Sequence, residues 1–170
     1  MSLYETTIPQ MAKMLRNLDK WLDAAVAFAE TKKFDPNTLL TARLAPDQYS
    51  LARQVQAACD TAKFAAGRLS GKEAPAHPDT EQTIAELKER IGKCLAYLDT
   101  FKVSDFSGAE TRRIGLSFIP GKGLVGADYA KELGVPNFYF HATAAYMILR
   151  HNGVPLGKGD FLGSLTLVDV

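Results

Sequence analysis

The sequence carries almost no net charge and few of the residues that form disulfides or bind metals. Its 20 Lys and Arg residues against 19 Asp and Glu residues give a formal net charge of +1, so no strong field attracts a polyanion such as nucleic acid. It has two cysteines and three histidines, and no His-Glu-x-x-His, Cys-x-x-Cys or Asp-rich metal motif occurs. No apolar run reaches the roughly 18 residues that a membrane span needs. These absences predict a protein that binds neither nucleic acid nor membrane.

A secretory signal is also missing, because the first ten residues lack a basic segment followed by an apolar core. We therefore expect a cytoplasmic protein. Cys59 and Cys94 fall on different predicted helices, where a disulfide is geometrically possible. In a reducing compartment we expect both to be buried thiols that act as small apolar residues.

What is present is the composition of an ordinary globular domain. The chain has 170 residues, of which 46% are hydrophobic and 23% are charged. That length suits one domain and is enough for a core that needs no disulfide or metal. We therefore predict a single domain over residues 1–170.

Apolar residues recur at spacings of three and four in four stretches, which predicts four long helices. They cover residues 2–30, 47–69, 79–101 and 137–153. Asp47 is the expected N-cap of the second helix, and Asp79 or Thr80 that of the third. The stripe of the second helix is rich in alanine, so a neighbouring helix can approach it closely.

The segment between the third and fourth helices breaks this period. Residues 113–119 alternate between polar and apolar side chains and run into Pro120-Gly121-Lys122-Gly123, which predicts a β-hairpin rather than a phosphate-binding loop. We therefore expect an all-α fold, a four-helix bundle with a short β-hairpin before the last long helix. The tail after Gly153 is expected to be extended, with an ion pair between Arg150 and Asp160.

The fourth helix contains the main candidate site. It is almost wholly apolar but carries His141, and an unpaired buried polar group costs about 1–3 kcal/mol. Asn137 lies four residues earlier, on the same face, and Gln54 lies beside the apolar stripe of the second helix. Gln54, Asn137 and His141 therefore form a candidate polar pocket. They are either a buried network that binds a small molecule or an incomplete site for a divalent metal such as Zn or Ni, since amide oxygens are poor ligands for these ions.

The other polar candidates offer less. His77 lies in an Ala-Pro-rich loop and is expected to be solvated. His151 lies ten residues after His141, about 15 Å along the helix, so the two histidines cannot share a metal. Ser107 and Ser117 have no adjacent histidine, so a catalytic triad has no support.

Four segments together resemble the C-terminal part of the DinB/YfiT-like superfamily: Phe140-His141, Ala145-Tyr146 with Leu149-Arg150, Gly153-Val154-Pro155 and Asp160-Phe161-Leu162. The resemblance implies a four-helix bundle, often dimeric, in a superfamily whose members often bind a divalent metal through three histidines. It aligns His141 with one of these histidines, Asn137 with a second, and Gln54 with the ligand on helix two. Two of the three ligands are thus replaced. The whole chain is similar to a branch of this superfamily that is a domain of unknown function.

Three functional hypotheses follow. The leading one is a protein that binds a small molecule through the polar pocket around His141. The second, implied by the resemblance, is a divalent-metal-dependent thiol transferase or hydrolase in which Asp60 or a water completes the metal shell. The third is a structural homodimer, since the alanine-rich second helix and the aromatic fourth helix offer apolar faces.

Overall fold

The computed structural model describes residues 2–170 and confirms the all-α bundle with one short hairpin. The long helices are α1 (Leu3–Lys32), α2 (Leu51–Ser70), α3 (Ile84–Leu98) and α4 (Val135–His151). Shorter 3-10 turns lie at Pro36–Thr41, Val103–Phe106 and Ala109–Thr111.

Two helices begin later than the sequence predicted. The second begins at Leu51 because the N–H of Leu51 donates to the carbonyl of Ala42 at 2.9 Å, which holds the preceding residues as a turn. Ser50, not Asp47, is its N-cap. The third begins at Ile84 because Thr83 and Glu86 form a capping box, in which each side chain accepts a hydrogen bond from the backbone of the other residue.

The helices pack around one core. Both α3 and α4 pack against α1 and against α2, and α2 makes its most extensive contact with α4. The predicted apolar stripe of α2 is fully buried in this core: Leu51, Val55, Ala58, Ala62, Ala65 and Leu69. The alanines leave room for the α4 backbone, which brings polar side chains on the two helices within hydrogen-bonding distance.

The predicted hairpin is confirmed and leads into α4 through an irregular turn. Strands β1 (Arg113–Gly115) and β2 (Gly123–Val125) are antiparallel, with Ile114 opposite Leu124. After one helical turn at Gly126–Asp128, the segment Tyr129–Gly134 is a π-helix that continues directly into α4. Such wide turns rotate side chains relative to a regular helix and are often found at functional sites.

The tail is partly helical rather than extended, since α5 (Lys158–Leu162) forms one short helix. It is fastened to α1: Asn17 Nδ2 donates to the carbonyl of Phe161 and Trp21 Nε1 to that of Asp160, each at 3.0 Å. The prediction of an ion pair between Arg150 and Asp160 is wrong. Arg150 donates to the carbonyl of Val154 at 3.1 Å instead, because the chain turns back directly after α4.

Both cysteines are buried and free, as expected, and the Sγ of Cys94 lies 3.3 Å from the carbonyl oxygen of Cys59. No helix within residues 2–170 is both long and apolar enough to cross a bilayer.

Candidate functional site

A cleft of about 480 Å³ runs along α2 where this helix faces the π-helical turn and the first half of α4. Because the two segments are antiparallel, the start of α2 lies beside His141 and its end lies beside Tyr129. The tip of the hairpin contributes Phe118 to the wall. The cleft is lined by Tyr49, Arg53, Ala57, Asp60, Thr61, Phe64, Arg68, Phe118, Tyr129, Leu133, Gly134, Asn137 and His141.

At one end of the cleft, two hydrogen bonds fix the orientation of His141. The amide nitrogen of Gln54 donates to the backbone carbonyl of Tyr49 at 3.3 Å. Its amide oxygen therefore faces Nδ1 of His141, 2.8 Å away. An amide oxygen can only accept, so Nδ1 carries the proton and Nε2 of the neutral ring keeps its lone pair. Among residues 2–170, no side chain or backbone group forms a hydrogen bond with this Nε2, which is not one of the buried atoms without a partner.

The surroundings of His141 favour its neutral form. The imidazole is 8% exposed, lies parallel to the Tyr49 ring at 6.1 Å between centroids, and meets the Phe140 ring edge to face at 5.2 Å. Burial, and next the positive charge of Arg53, lower the pKa of His141 below its ordinary value. At neutral pH the site therefore presents an imidazole whose Nε2 accepts a hydrogen bond.

Asn137 lies in the same cleft but bonds elsewhere. Its Nδ2 donates to Oγ1 of Thr61 at 2.8 Å, across the α2–α4 contact. The structure thus places Gln54 and His141 in direct contact, with Asn137 one helical turn away along α4. Asn137 and His141 line the cleft, whereas Gln54 is fully buried and bonds to His141.

The donor set of these three residues does not fit a divalent metal. The Gln54 oxygen is directed at Nδ1 of His141, so it is not available beside Nε2. The carboxylate of Asp60 bonds to Arg90 and Lys63, each at 2.9 Å. Across residues 2–170, no group of three or more His, Cys, Asp or Glu side chains is arranged to hold a metal ion. One imidazole nitrogen remains, whereas zinc sites use three or four protein ligands.

Sequence reasoning missed the other end of the cleft, formed by Phe64, Arg68 and Tyr129. Arg68 lies between the other two side chains, with its guanidinium 5.3 Å from the Phe64 ring centre and 5.6 Å from that of Tyr129. A signal was present on α2, where residues 57, 61, 64 and 68 recur at helical spacing. Tyr129 gave no such signal, because its direction depends on the π-helical turn.

A second, smaller cavity of about 210 Å³ lies at the α2–α3 loop, beside His77 and Arg90. The prediction that His77 is solvated holds only in part. The residue is half-buried, and its Nδ1 is buried without a hydrogen-bond partner among the described residues. Burial, and next the charge of Lys63, lower the pKa of His77. Arg90 beside it bonds to Asp60, Asp79 and Glu81, so this region is an ion-pair network that holds the loop.

Comparison with known proteins gives a family but no reaction. Residues 3–162 match the protein family described as "Domain of unknown function (DUF1993)". The chain is also similar to a crystal structure of a DinB family member protein from Shewanella denitrificans, with 50% sequence identity and a TM-score of 0.95 over 99% of this chain and 96% of that one. No curated protein is significantly similar to it.

Proposed function

The chain belongs to the DUF1993 family, within the DinB-like bundle proteins, and from that premise we propose that it binds a small molecule in the cleft at His141. One observation carries the proposal: Gln54 holds a neutral imidazole so that its unprotonated Nε2 has no protein partner. This nitrogen is not among the buried atoms that lack a partner, so it is accessible from the cleft that His141 lines. A ligand donor in the cleft supplies this partner.

The shape and lining of the cleft support this function. Its volume of about 480 Å³ falls within the range of small-molecule sites, which are mostly apolar with a few placed polar groups. Aromatic rings form the walls, and a hydrogen-bond acceptor lies at one end and a cation at the other.

We also propose that the protein is located in the cytoplasm, because its two cysteines are free and free thiols are typical of a reducing compartment.

Ligand-observed NMR with a small-compound library tests the proposal. We expect compounds with a hydrogen-bond donor to bind the wild-type protein and to lose binding in His141→Phe, which keeps an aromatic ring but removes Nε2. The matched control is His151→Phe, since His151 lies on the same helix but is exposed. Compounds that bind both variants equally, or a library without any hit, would contradict the proposal.

The alternative is a divalent-metal-dependent thiol transferase or hydrolase with Zn or Ni at His141. The described donor set does not favour it, because His141 offers one nitrogen and Asp60 is already neutralised by two cations. Elemental mass spectrometry of the untagged protein, beside His141→Phe, decides between the two. Near-stoichiometric metal that is lost in the variant would establish the alternative.

A second proposal concerns assembly and stands beside ligand binding. An apolar patch on the outer face of α4 is formed by Phe140 and Met147, and Leu44 from the loop before α2 lies beside them. These residues are 55%, 48% and 43% exposed, in that order. Phe140 and Met147 are seven residues apart, so they lie on one face of the helix. We propose that two copies of the chain form a homodimer through this patch.

Light scattering coupled to size-exclusion chromatography measures this assembly. We expect a dimer mass at micromolar concentration and a monomer mass for Phe140→Glu, because a buried unpaired carboxylate is costly. The control Phe118→Glu changes an exposed aromatic residue on the hairpin and is expected to leave the mass unchanged. A monomeric wild-type protein would remove the dimer proposal and leave the ligand site untouched.

A further inference from the structure

Arg68 differs from the other arginine in the wall of the cleft because no carboxylate pairs with it. Arg53 forms an ion pair with Asp79. Within residues 2–170, no Asp or Glu oxygen lies within ion-pair distance of Arg68. The one acidic residue in the cleft wall, Asp60, is held by Arg90 and Lys63. The Arg68 end of the cleft therefore carries an uncompensated positive charge.

The side chain of Arg68 is positioned before any ligand binds. It is half-buried and packs between the rings of Phe64 and Tyr129, at 5.3 and 5.6 Å from their centres. Such packing restricts the rotamers of the guanidinium. Nη1 donates to the hydroxyl of Tyr129, and no described group accepts from Nε or Nη2, so these two can donate parallel hydrogen bonds to a ligand. A prearranged fork of this kind fits a planar oxyanion.

Tyr129 adds a second donor at the same place. Its hydroxyl oxygen accepts a hydrogen bond from Nη1 of Arg68 at 3.3 Å, and the residue is only 1% exposed. No described residue accepts the hydroxyl proton. Gly134 makes room for the ring, since a Cβ at that position would lie 3.3 Å from Cε1 of Tyr129. The π-helical turn thus directs a phenol toward the anion position beside Arg68.

From these contacts we propose that the Arg68 end of the cleft binds the carboxylate of an elongated, largely apolar small molecule. One free guanidinium carries one positive charge, which a singly charged carboxylate neutralises, whereas a phosphate dianion would leave a negative charge in the cleft. The inference rests on the proposed function and names the ligand class for the same site.

The length and lining of the cleft define the rest of the ligand. Gln54, which holds His141, and Arg68 are fourteen residues apart on α2, which corresponds to about 21 Å along the helix. Between the two ends the wall has apolar groups, which include Ala57, Leu133 and Phe118. The polar groups beside them are already bonded within the protein, since Asn137 donates to Thr61 and Asp60 pairs with Arg90 and Lys63. The ligand therefore has a carboxylate at one end and an apolar body that extends toward Nε2 of His141.

Protein-observed NMR titrations with paired probes test the inference. The probes are 4-phenylbutyrate, the neutral 4-phenyl-1-butanol, which has the same apolar body, and 4-phenylbutyl phosphate. We expect the carboxylate to bind about tenfold tighter than the alcohol, which is the size of effect that a charge-assisted hydrogen bond gives. The phosphate is expected to bind no tighter than the carboxylate.

Variants locate the effect. Arg68→Gln is expected to abolish the preference for the carboxylate, Arg68→Lys to keep part of it, and Tyr129→Phe to reduce it while binding of the alcohol stays the same. Arg113→Gln removes an equal charge from the exposed strand β1 and is expected to keep the preference in full.

The outcomes separate this inference from the proposed function. If the carboxylate and the alcohol bind the cleft equally and Arg68→Gln changes neither, the carboxylate inference is overturned and the small-molecule site stands. If the phosphate binds most tightly, the assignment to a carboxylate is wrong. If no probe shifts the amides of the cleft, the inference fails together with the proposed site.

Discussion

At the scale of single residues, the most specific arrangement is the one that orients His141. Two consecutive hydrogen bonds decide which nitrogen of the imidazole keeps its lone pair: the Gln54 amide donates to the Tyr49 carbonyl, and Nδ1 of His141 donates to the Gln54 amide oxygen. Burial and the nearby Arg53 then keep the ring neutral. The result is a hydrogen-bond acceptor of fixed direction on an otherwise apolar helix.

The lowered pKa of His141 has a definite consequence for stability. An unfolded histidine titrates near pH 6.5, and folding lowers that pKa. Below about pH 6.5 the unfolded state therefore binds more protons, so the free energy of unfolding decreases as the pH falls toward the folded-state value. His141→Phe has no imidazole to protonate, so its free energy of unfolding lacks this pH dependence. Chemical denaturation should therefore show that lowering the pH below about 6.5 decreases the stability of the wild type more than that of the variant. A difference that stays constant from pH 7.5 to 5 would contradict the account.

The contribution of Arg53 can be measured separately. Arg53→Gln removes a positive charge from the surroundings of His141, so we expect the pKa of His141, followed by NMR of the ring protons, to rise toward its ordinary value. Arg43→Gln is the matched control, since Arg43 donates to the carbonyl of Gln48 and does not line the cleft. An unchanged His141 pKa in Arg53→Gln would leave burial as the sole cause.

Gln54 is predicted to be the residue on which the orientation of His141 depends. Gln54→Leu keeps the volume but removes the acceptor of Nδ1, which leaves a buried donor without a partner. Urea denaturation should show a loss of about 1–3 kcal/mol in the free energy of unfolding. Gln48→Leu, at a partly exposed position on the loop before α2, serves as the control and should change the free energy of unfolding by less than about 0.5 kcal/mol.

At the scale of elements, the α2–α3 loop is held by one arginine. Arg90 on α3 is 2% exposed and pairs with Asp60 on α2 and with Asp79 and Glu81 on the loop. It also donates to the carbonyl of Pro78 at 3.0 Å. This network fixes the loop over α2 and, through Asp79, the position of Arg53 beside the cleft.

Substitution of Arg90 should therefore release the α2–α3 loop from α2 and α3. We expect Arg90→Ala to lower the free energy of unfolding by about 3 kcal/mol, because it leaves partly buried carboxylates unpaired. Arg16→Ala breaks an exposed pair with Asp99 and should cost less than about 1 kcal/mol. Equal effects of the two substitutions, measured by thermal or urea denaturation, would contradict this account of the loop.

The sequence predicted the elements better than their ends. The apolar periodicity of α1 to α4 and the alternation before Pro120 identified four helices and the hairpin. The predicted helix ends were wrong where a contact distant in sequence determines them. An example is Leu51, whose N–H donates to the carbonyl of Ala42. The cleft was predicted at its His141 end, where a polar residue in an apolar helix stands out. The Arg68 end was missed, although Phe64 and Arg68 lie on one face of α2, because Tyr129 reaches it through a π-helical turn that leaves no periodic signal.

At the scale of the whole molecule, the bundle combines a buried core with a cleft in which Nε2 of His141 has no protein partner. The alanine stripe of α2 lets α4 approach, and this approach creates both the buried Gln54–His141 bond and the groove outside it. The family match covers the same unit, residues 3–162. The tail is fastened to α1 by the stacking of Phe161 on Trp21 and by the hydrogen bond from Trp21 to the carbonyl of Asp160. None of these residues lines the cleft.

The most direct test of the central claim is the nitrogen NMR spectrum of the His141 ring at neutral pH, recorded before and after addition of a bound compound. We predict a neutral ring with the proton on Nδ1 and an unprotonated Nε2, whose resonance moves when the compound binds. A proton on Nε2 in the free protein, or an Nε2 resonance that binding leaves unchanged, would contradict the account.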